Sequence, residues 1–391
     1  MQASPELGQV LVAAVAEHDW ASPPSQLERL MVGLDPAEIV KASVCHGVAG
    51  CVHLSTSGLA GTDDQFRTAL ARAYQAAVAS HLRTVAELGA IAPVLDAAGV
   101  PWAVVKGPVL SEAVYARPDL RDYVDLDLVV RPSGLGAALD ALEDAGCVLL
   151  ERNWRHLRSA RPGEVALALP NGTRVDLHWH LLYHPSLRRQ FSVPMDVILD
   201  RCRSVDIRGL AVRTLDPVDT VLALALHASL SGGHRLIWCK DIEQALRHEL
   251  ASWDDIVERS HAWRAARAVA TMLLRARSAL AVPVPDDVLA ALAPRWWRSL
   301  VRSTQKSYPV QRATAMASPV RVVARAARDQ DRSCGLELAR GGTGWAWRRL
   351  APGGRALTAA SVWDEGRFHP VDHDGDRRAF LRAVADESTQ R

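Results

Sequence analysis

The spacing of apolar residues divides the chain into three regimes. Over the first hundred residues they recur every three or four positions, the period of a helix packed on one face. Short helices are predicted at Leu7 to Ala16, Leu27 to Val32 and Glu38 to Val48. Thr62-Asp63-Asp64 is an N-cap cluster ahead of a long helix from about 64 to 98. Phe66, Leu70, Tyr74, Val78 and Leu82 share one face of it, and Gly99 closes it.

From 101 to 182 the period shortens to two and the segments become brief. The pattern predicts a strand at Trp102 to Lys106, a short helix at Pro108 to Ala116 and a strand at Asp125 to Arg131. A helix follows from Pro132 to Ala145 and stops at Gly146. Further strands are expected near 147–151, 154–160, 165–169 and 174–181. Asn171-Gly172 is a strong hairpin signal, expected to set Asp176 antiparallel beside the 125–131 strand. After an irregular stretch, a strand pair is predicted at Ser204–Ile207 and Leu210–Val212, joined by Arg208-Gly209. The helical period returns at Asp216-Pro217 and holds to about 282, with Val221, Leu224 and Ala228 on one face. The expected class is α+β, with helical regions on both sides of an αβ core. The boundaries read as 1–100, 101–214, 215–293 and a tail at 294–391 whose packing the pattern leaves open.

Two strands carry charge where their pattern calls for burial. Asp125 and Asp127 stand two apart in Val124-Asp125-Leu126-Asp127-Leu128-Val129-Val130, so both carboxylates share one face and Leu126 and Leu128 the other. Adjacent ionised carboxylates on a buried strand require a counter-charge. A divalent cation is the economical one, and oxygen donors suit Mg²⁺ or Mn²⁺. In Arg174-Val175-Asp176-Leu177-His178-Trp179-His180-Leu181 the same alternation places Asp176, His178 and His180 on a polar face. Three carboxylates from two strands, with Lys106 and Arg121 close in sequence, describe a site for metal-assisted phosphoryl or nucleotidyl transfer. Lys106 precedes Gly107 and a helix start, where phosphate is favoured.

The order of an apolar strand, Lys106-Gly107, a helix bearing Tyr115, Arg121, Asp125-x-Asp127 and then Val175-Asp176-Leu177-His178-Trp179 resembles the uncharacterised bacterial nucleotidyltransferase family. That family is placed in the DNA polymerase beta-like superfamily. The resemblance spans roughly 30 to 290 and is most specific from 102 to 181. It implies a small mixed β-sheet core and a two-metal site on Asp125, Asp127 and Asp176. It also implies a nucleoside triphosphate substrate, steadied by Lys106, Gly107, Arg121 and His178. It names no acceptor, which is expected to be a small molecule, a peptide or a protein side chain. One departure stands out: Pro108 follows Gly107 where the superfamily carries Gly-Ser or Gly-Gly, and proline has no N–H to offer a phosphate. Two alternatives follow, a non-catalytic nucleotide-binding or interaction module of the same fold, and a glycosyltransferase using Asp125-x-Asp127 on a sugar nucleotide.

Composition changes this picture little. Among 391 residues, 49% are hydrophobic and 23% charged, as in ordinary globular proteins. The net charge of +2 argues for neither nucleic acid nor membrane as a partner. No apolar run suits a bilayer span, and the first residues lack a signal-peptide pattern, so a cytoplasmic setting is expected. The six cysteines include no Cys-x-x-Cys pair, and a disulfide framework is not expected. Cys45-His46 and Cys51-x-His53 match no usual zinc spacing. Residues 295–349 carry eleven Arg and Lys306 against Asp329, Asp331 and Glu337, about +9 by count, with Trp296, Trp297, Trp345 and Trp347 interspersed. Such a tract suits a polyanion, although nucleic acid is not the favoured partner.

Overall fold

The computed structural model describes residues 5–18, 20, 24–248, 251–305, 308, 318–350 and 374–389. They form two compact units whose segments interleave. A helical unit comprises Met1–Ser80, Val114–Tyr123 and Thr220–Arg349, and a sheet unit His81–Ala113, Val124–Asp219 and Leu350–Arg391. The chain therefore crosses between units several times, where the sequence pattern suggests four consecutive regions.

Among the described residues the sheet unit holds seven strands: β1 (Trp102–Val104), β2 (Asp125–Val130), β3 (Val148–Leu149), β4 (Glu164–Ala168), β5 (Arg174–His178), β6 (Arg203–Ile207) and β7 (Leu210–Thr214). Their order is β3-β4-β5-β2-β1-β7-β6. β2 and β5 are parallel, as are β1 and β7; the other neighbours are antiparallel. The fold is thus α+β with a mixed sheet. The expected antiparallel setting of Asp176 beside the 125–131 strand is corrected. The Asn171-Gly172 turn does pair β4 with β5 antiparallel, and Gly172 takes the left-handed φ of 91° it needs. β5 nevertheless runs parallel to β2, because a crossover containing the Leu135–Asp144 helix separates them.

Residues 154–160 are also helix rather than the expected strand. The Asn153 side chain accepts a hydrogen bond from His156 N at 3.0 Å, capping a helix that buries Trp154 and Leu157, three residues apart. The predicted helix after Pro108 shortens to a wide π-type turn at Leu110–Val114. The long helix runs Asp64–Ala97, capped by Asp63, whose Oδ1 accepts from Phe66 N.

The sheet sorts its side chains by face. Leu126, Leu128 and Val130 of β2, Val175 and Leu177 of β5 and Val165 and Leu167 of β4 join one apolar core with Leu139 and Leu142. The helix Asp374–Thr389 completes that core with Phe380 and Val384. Arg188 ties the same helix through Glu387 at 2.8 Å. The end of the chain is therefore an integral layer of the sheet unit. Its sequence obscures this because the apolar stripe is short, Phe380, Leu381 and Val384 among charged residues.

In the helical unit Trp297 is fully buried and donates to Thr271 Oγ1 at 2.9 Å, whereas Trp296 is exposed and lies beneath Arg267. The side chains of Trp345 and Trp347 lie outside the described residues. No helix among the described residues is long and apolar enough to cross a membrane.

Candidate functional site

The face of β2 and β5 opposite the core gathers the acids. The parallel register pairs Asp127 with Asp176 and Asp125 with Arg174. Both β2 acids point away from the face bearing Leu126 and Leu128. Asp127 and Asp176 are buried and Asp125 half-buried. Neighbouring strands lie only about 4.8 Å apart, so the register alone forces two carboxylates together.

Each buried acid is met by a cation. β1 pairs with β2, and Val105 N donates to Asp127 O at 3.0 Å. The chain then turns so that Lys106 Nζ lies 3.6 Å from Asp127 Oδ1. Gly107 takes a φ of 61° at this turn, in the left-handed region that glycine tolerates. His178 Nε2 lies 3.0 Å from the same Oδ1, and Arg174 Nε donates to Asp176 Oδ1 at 2.9 Å.

The structure adds a fourth acid to this face. Glu164 opens β4 directly opposite His178, and its Oε2 lies 3.2 Å from His178 Nδ1. The imidazole is thus held between Glu164 and Asp127. Burial would lower its pKa, but the two carboxylates outweigh burial and raise it to about 9. Burial pushes the Glu164 carboxyl upward, with repulsion from Asp176 and Asp127 overcoming part of the attraction to His178. Tyr183 is likewise pushed up by burial and then by Glu164 and Asp176. A signal for Glu164 was present: pairing Leu169 with Thr173 across the Asn171-Gly172 turn and counting back sets 164 opposite 178.

Of the predicted residues, the sheet unit brings together Asp125, Asp127, Asp176, Lys106, Gly107 and His178. His180 is buried instead in a local turn, its Nδ1 accepting from Leu182 N. Arg121 belongs to the helical unit. There it binds Asp241 through Nε at 2.8 Å and Nη2 at 3.2 Å, while Tyr115 donates to the same carboxylate at 2.7 Å. Burial opposes the charge on Arg121, yet Asp241 more than compensates and its pKa rises further.

Aspartate oxygens suit a hard divalent cation, and the strand register supplies adjacent positions for them. The side chains themselves face Lys106, His178 and Arg174. Among the described residues no three His, Cys, Asp or Glu side chains form a ready cluster for a metal ion, at this face or around Cys45 and Cys51. All six cysteines are free thiols. Lys106 and His178 reach Oδ1 of Asp127, and Arg174 reaches Oδ1 of Asp176, while a carboxylate has about four acceptor sites. Donor chemistry and register therefore fit the cation, while its coordination requires these side chains to turn.

A family model described as uncharacterised nucleotidyltransferase matches residues 33–281. The chain belongs to that family, whose chemistry is nucleotidyl transfer from a nucleotide substrate. No curated protein matches the chain.

Proposed function

We propose that the chain transfers a nucleoside monophosphate from a nucleoside triphosphate to an acceptor hydroxyl or phosphate, at the acid face of β2 and β5. The observation that carries this reading is the register of Asp127 with Asp176, with Asp125 on the same strand face. Asp125, Asp127 and Asp176 would hold Mg²⁺ or Mn²⁺, in the two-metal manner of the superfamily. When bound, the metal supplies positive charge to the reacting phosphate and eases deprotonation of the acceptor.

The protein's own groups bind and orient. Lys106, at the strand end, is a compact charge for the triphosphate. Glu164 clamps His178, and His178 fixes the direction of Asp127 through Oδ1. Arg174 does the same for Asp176. Arg121 already spends two N–H groups on Asp241, so the phosphate contact rests mainly on Lys106. The acceptor is a small molecule, a peptide or a protein side chain.

The test is release of pyrophosphate from each of the four common nucleoside triphosphates with Mg²⁺ and with Mn²⁺, using a cell extract as the source of acceptor. Asp127→Ala should abolish release while keeping the circular dichroism of the parent. Equal release from parent and variant would remove the acid face from the reaction.

A second reading is a nucleotide-binding module without turnover. Pro108 favours it, since this turn lacks one N–H for phosphate. So does the compensation of Asp127 and Asp176 by Lys106, His178 and Arg174. Saturable triphosphate binding that survives Asp127→Ala, with no pyrophosphate from the parent, would identify this module.

A further inference from the structure

The acid face carries charge suited to a metal and a triphosphate, but a nucleobase needs a flat apolar partner. The sheet unit has few to offer. Among its described Trp, Phe and Tyr residues, Trp102, Trp154, Trp179, Phe191 and Phe380 are all buried. Tyr183 alone of that set is half-exposed.

The position of Tyr183 follows from the way the chain leaves β5. His178 ends that strand and lies opposite Glu164, the first residue of β4. Beyond His178 the chain folds back over Gly163. Trp179 N and His180 N both donate to Gly163 O, at 2.9 and 3.0 Å, and Gly163 N donates to Tyr183 O at 2.8 Å. A Cβ on Gly163 would collide with Leu182 O, so this close wrap requires glycine. Tyr183 is thereby bonded to the residue that directly precedes Glu164, at the end of the acid face.

The backbone there is also held from the other side. Arg188 donates through Nη1 to Leu182 O at 3.2 Å and to Tyr183 O at 3.0 Å, and through Nη2 to Arg161 O at 2.7 Å. The same guanidinium lies 4.4 Å from the Trp179 ring, whose Nε1 donates to Pro162 O at 2.7 Å. The Tyr183 ring stands edge-on to His184, with centroids 4.7 Å apart. Burial, then Glu164 and Asp176, raise the phenol's pKa, in keeping with a ring on the side of the sheet that bears those carboxylates. Tyr183 is thus rigidly placed yet partly open to solvent. Such a residue gives a large flat contact while freezing only two side-chain torsions.

We propose, resting on the transfer reading above, that Tyr183 stacks on the base of the nucleoside triphosphate and holds the nucleotide over the acid face. It takes the part of the substrate that the carboxylates, Lys106 and His178 do not touch. Every base has a π-face, so this contact favours nucleotides over bare polyphosphate without selecting one base.

The test is calorimetric titration, with Mg²⁺, of wild type and variants against two ligands. One is whichever of the four common nucleoside triphosphates the wild type binds most tightly; the other is tripolyphosphate, which has no base. Tyr183→Ala should weaken nucleotide binding by about tenfold or more, the loss expected for one base stacked on an aromatic side chain. Tripolyphosphate should bind as before. Tyr183→Phe should restore the nucleotide affinity, since the ring and not the hydroxyl stacks. Tyr183→Leu keeps apolar bulk without a π-system, and it carries the test should Tyr183→Ala fail to fold. Equal losses for both ligands would assign Tyr183 to packing and overturn the proposal. Nucleotide affinity unchanged in Tyr183→Ala or Tyr183→Leu would overturn it as well, leaving the transfer reading intact. Wild type that binds neither ligand would remove that reading, and the stacking with it.

Discussion

In the helical unit Arg121 grips Asp241 through two N–H groups at 2.8 and 3.2 Å, with side chains 6% and 3% exposed. In the sheet unit Lys106 reaches Asp127 at 3.6 Å, with side chains 14% and 11% exposed. The first pair is bidentate, dry and reinforced by the Tyr115 hydroxyl. The second is a point charge near one oxygen, beside a histidine that faces another acid. A planar fork on a carboxylate is a fixed joint, because neither partner can leave without stranding a buried charge. A lysine at ion-pair distance can exchange its carboxylate for a phosphate with little rearrangement. Ionic contacts alone thus do not mark function; we propose the looser and more crowded set as the one that takes the ligand.

The comparison breaks most directly by removing one acid from each unit. Asp241→Asn should cost about 3–5 kcal/mol of stability, since it leaves Arg121 buried and unpaired. Asp127→Asn should change stability by no more than about 1 kcal/mol, because it also relieves repulsion with Asp176 and Glu164. Urea unfolding of both variants checks this, and equal losses would erase the distinction between a fixed and an exchangeable pair.

The pH dependence of the sheet unit sharpens it next. His178 has its pKa raised from 6.5 to about 9. Its contribution is therefore complete below pH 6.5 and disappears as pH rises through 9. That contribution is at most about 3 kcal/mol. Thermal unfolding between pH 6 and 10 should show the decline in wild type and a flatter profile in His178→Gln. An unchanged profile would mean that Glu164 and Asp127 do not hold the imidazole charged.

The smallest expected effect lies at Lys106. Lys106→Ala should weaken binding of a nucleoside triphosphate by about ten- to a hundredfold, or roughly 1.5–3 kcal/mol. The bare nucleoside should bind as before, and Lys106→Arg should recover only part of the loss. Titration of both ligands decides; equal losses would assign Lys106 to packing.

Much of the acid face is readable from spacing. Asp125 and Asp127 must share a side of β2, and Asp176 and His178 a side of β5, because a strand alternates whatever surrounds it. The Asp63 cap and the Asn171-Gly172 turn are local in the same sense. Glu164 was legible only by counting across that turn. The Trp154–Ala160 helix departs from the strand its pattern predicts, because a run of seven residues supports either period until its cap and its buried neighbours are known.

Sequence by itself determined the α+β class, the two acid strands and the Lys106-Gly107 turn, all of which depend on periods and backbone preferences within a few residues. Tertiary structure decided the rest. It placed β5 parallel to β2, setting Asp176 beside Asp127. It engaged Arg121 with Asp241, 120 positions away in sequence. It brought Phe380 and Val384 of the Asp374–Thr389 helix into the sheet's core. Pairings at such separations are chosen by which surfaces can be buried and which charges satisfied together, and no local pattern encodes that choice.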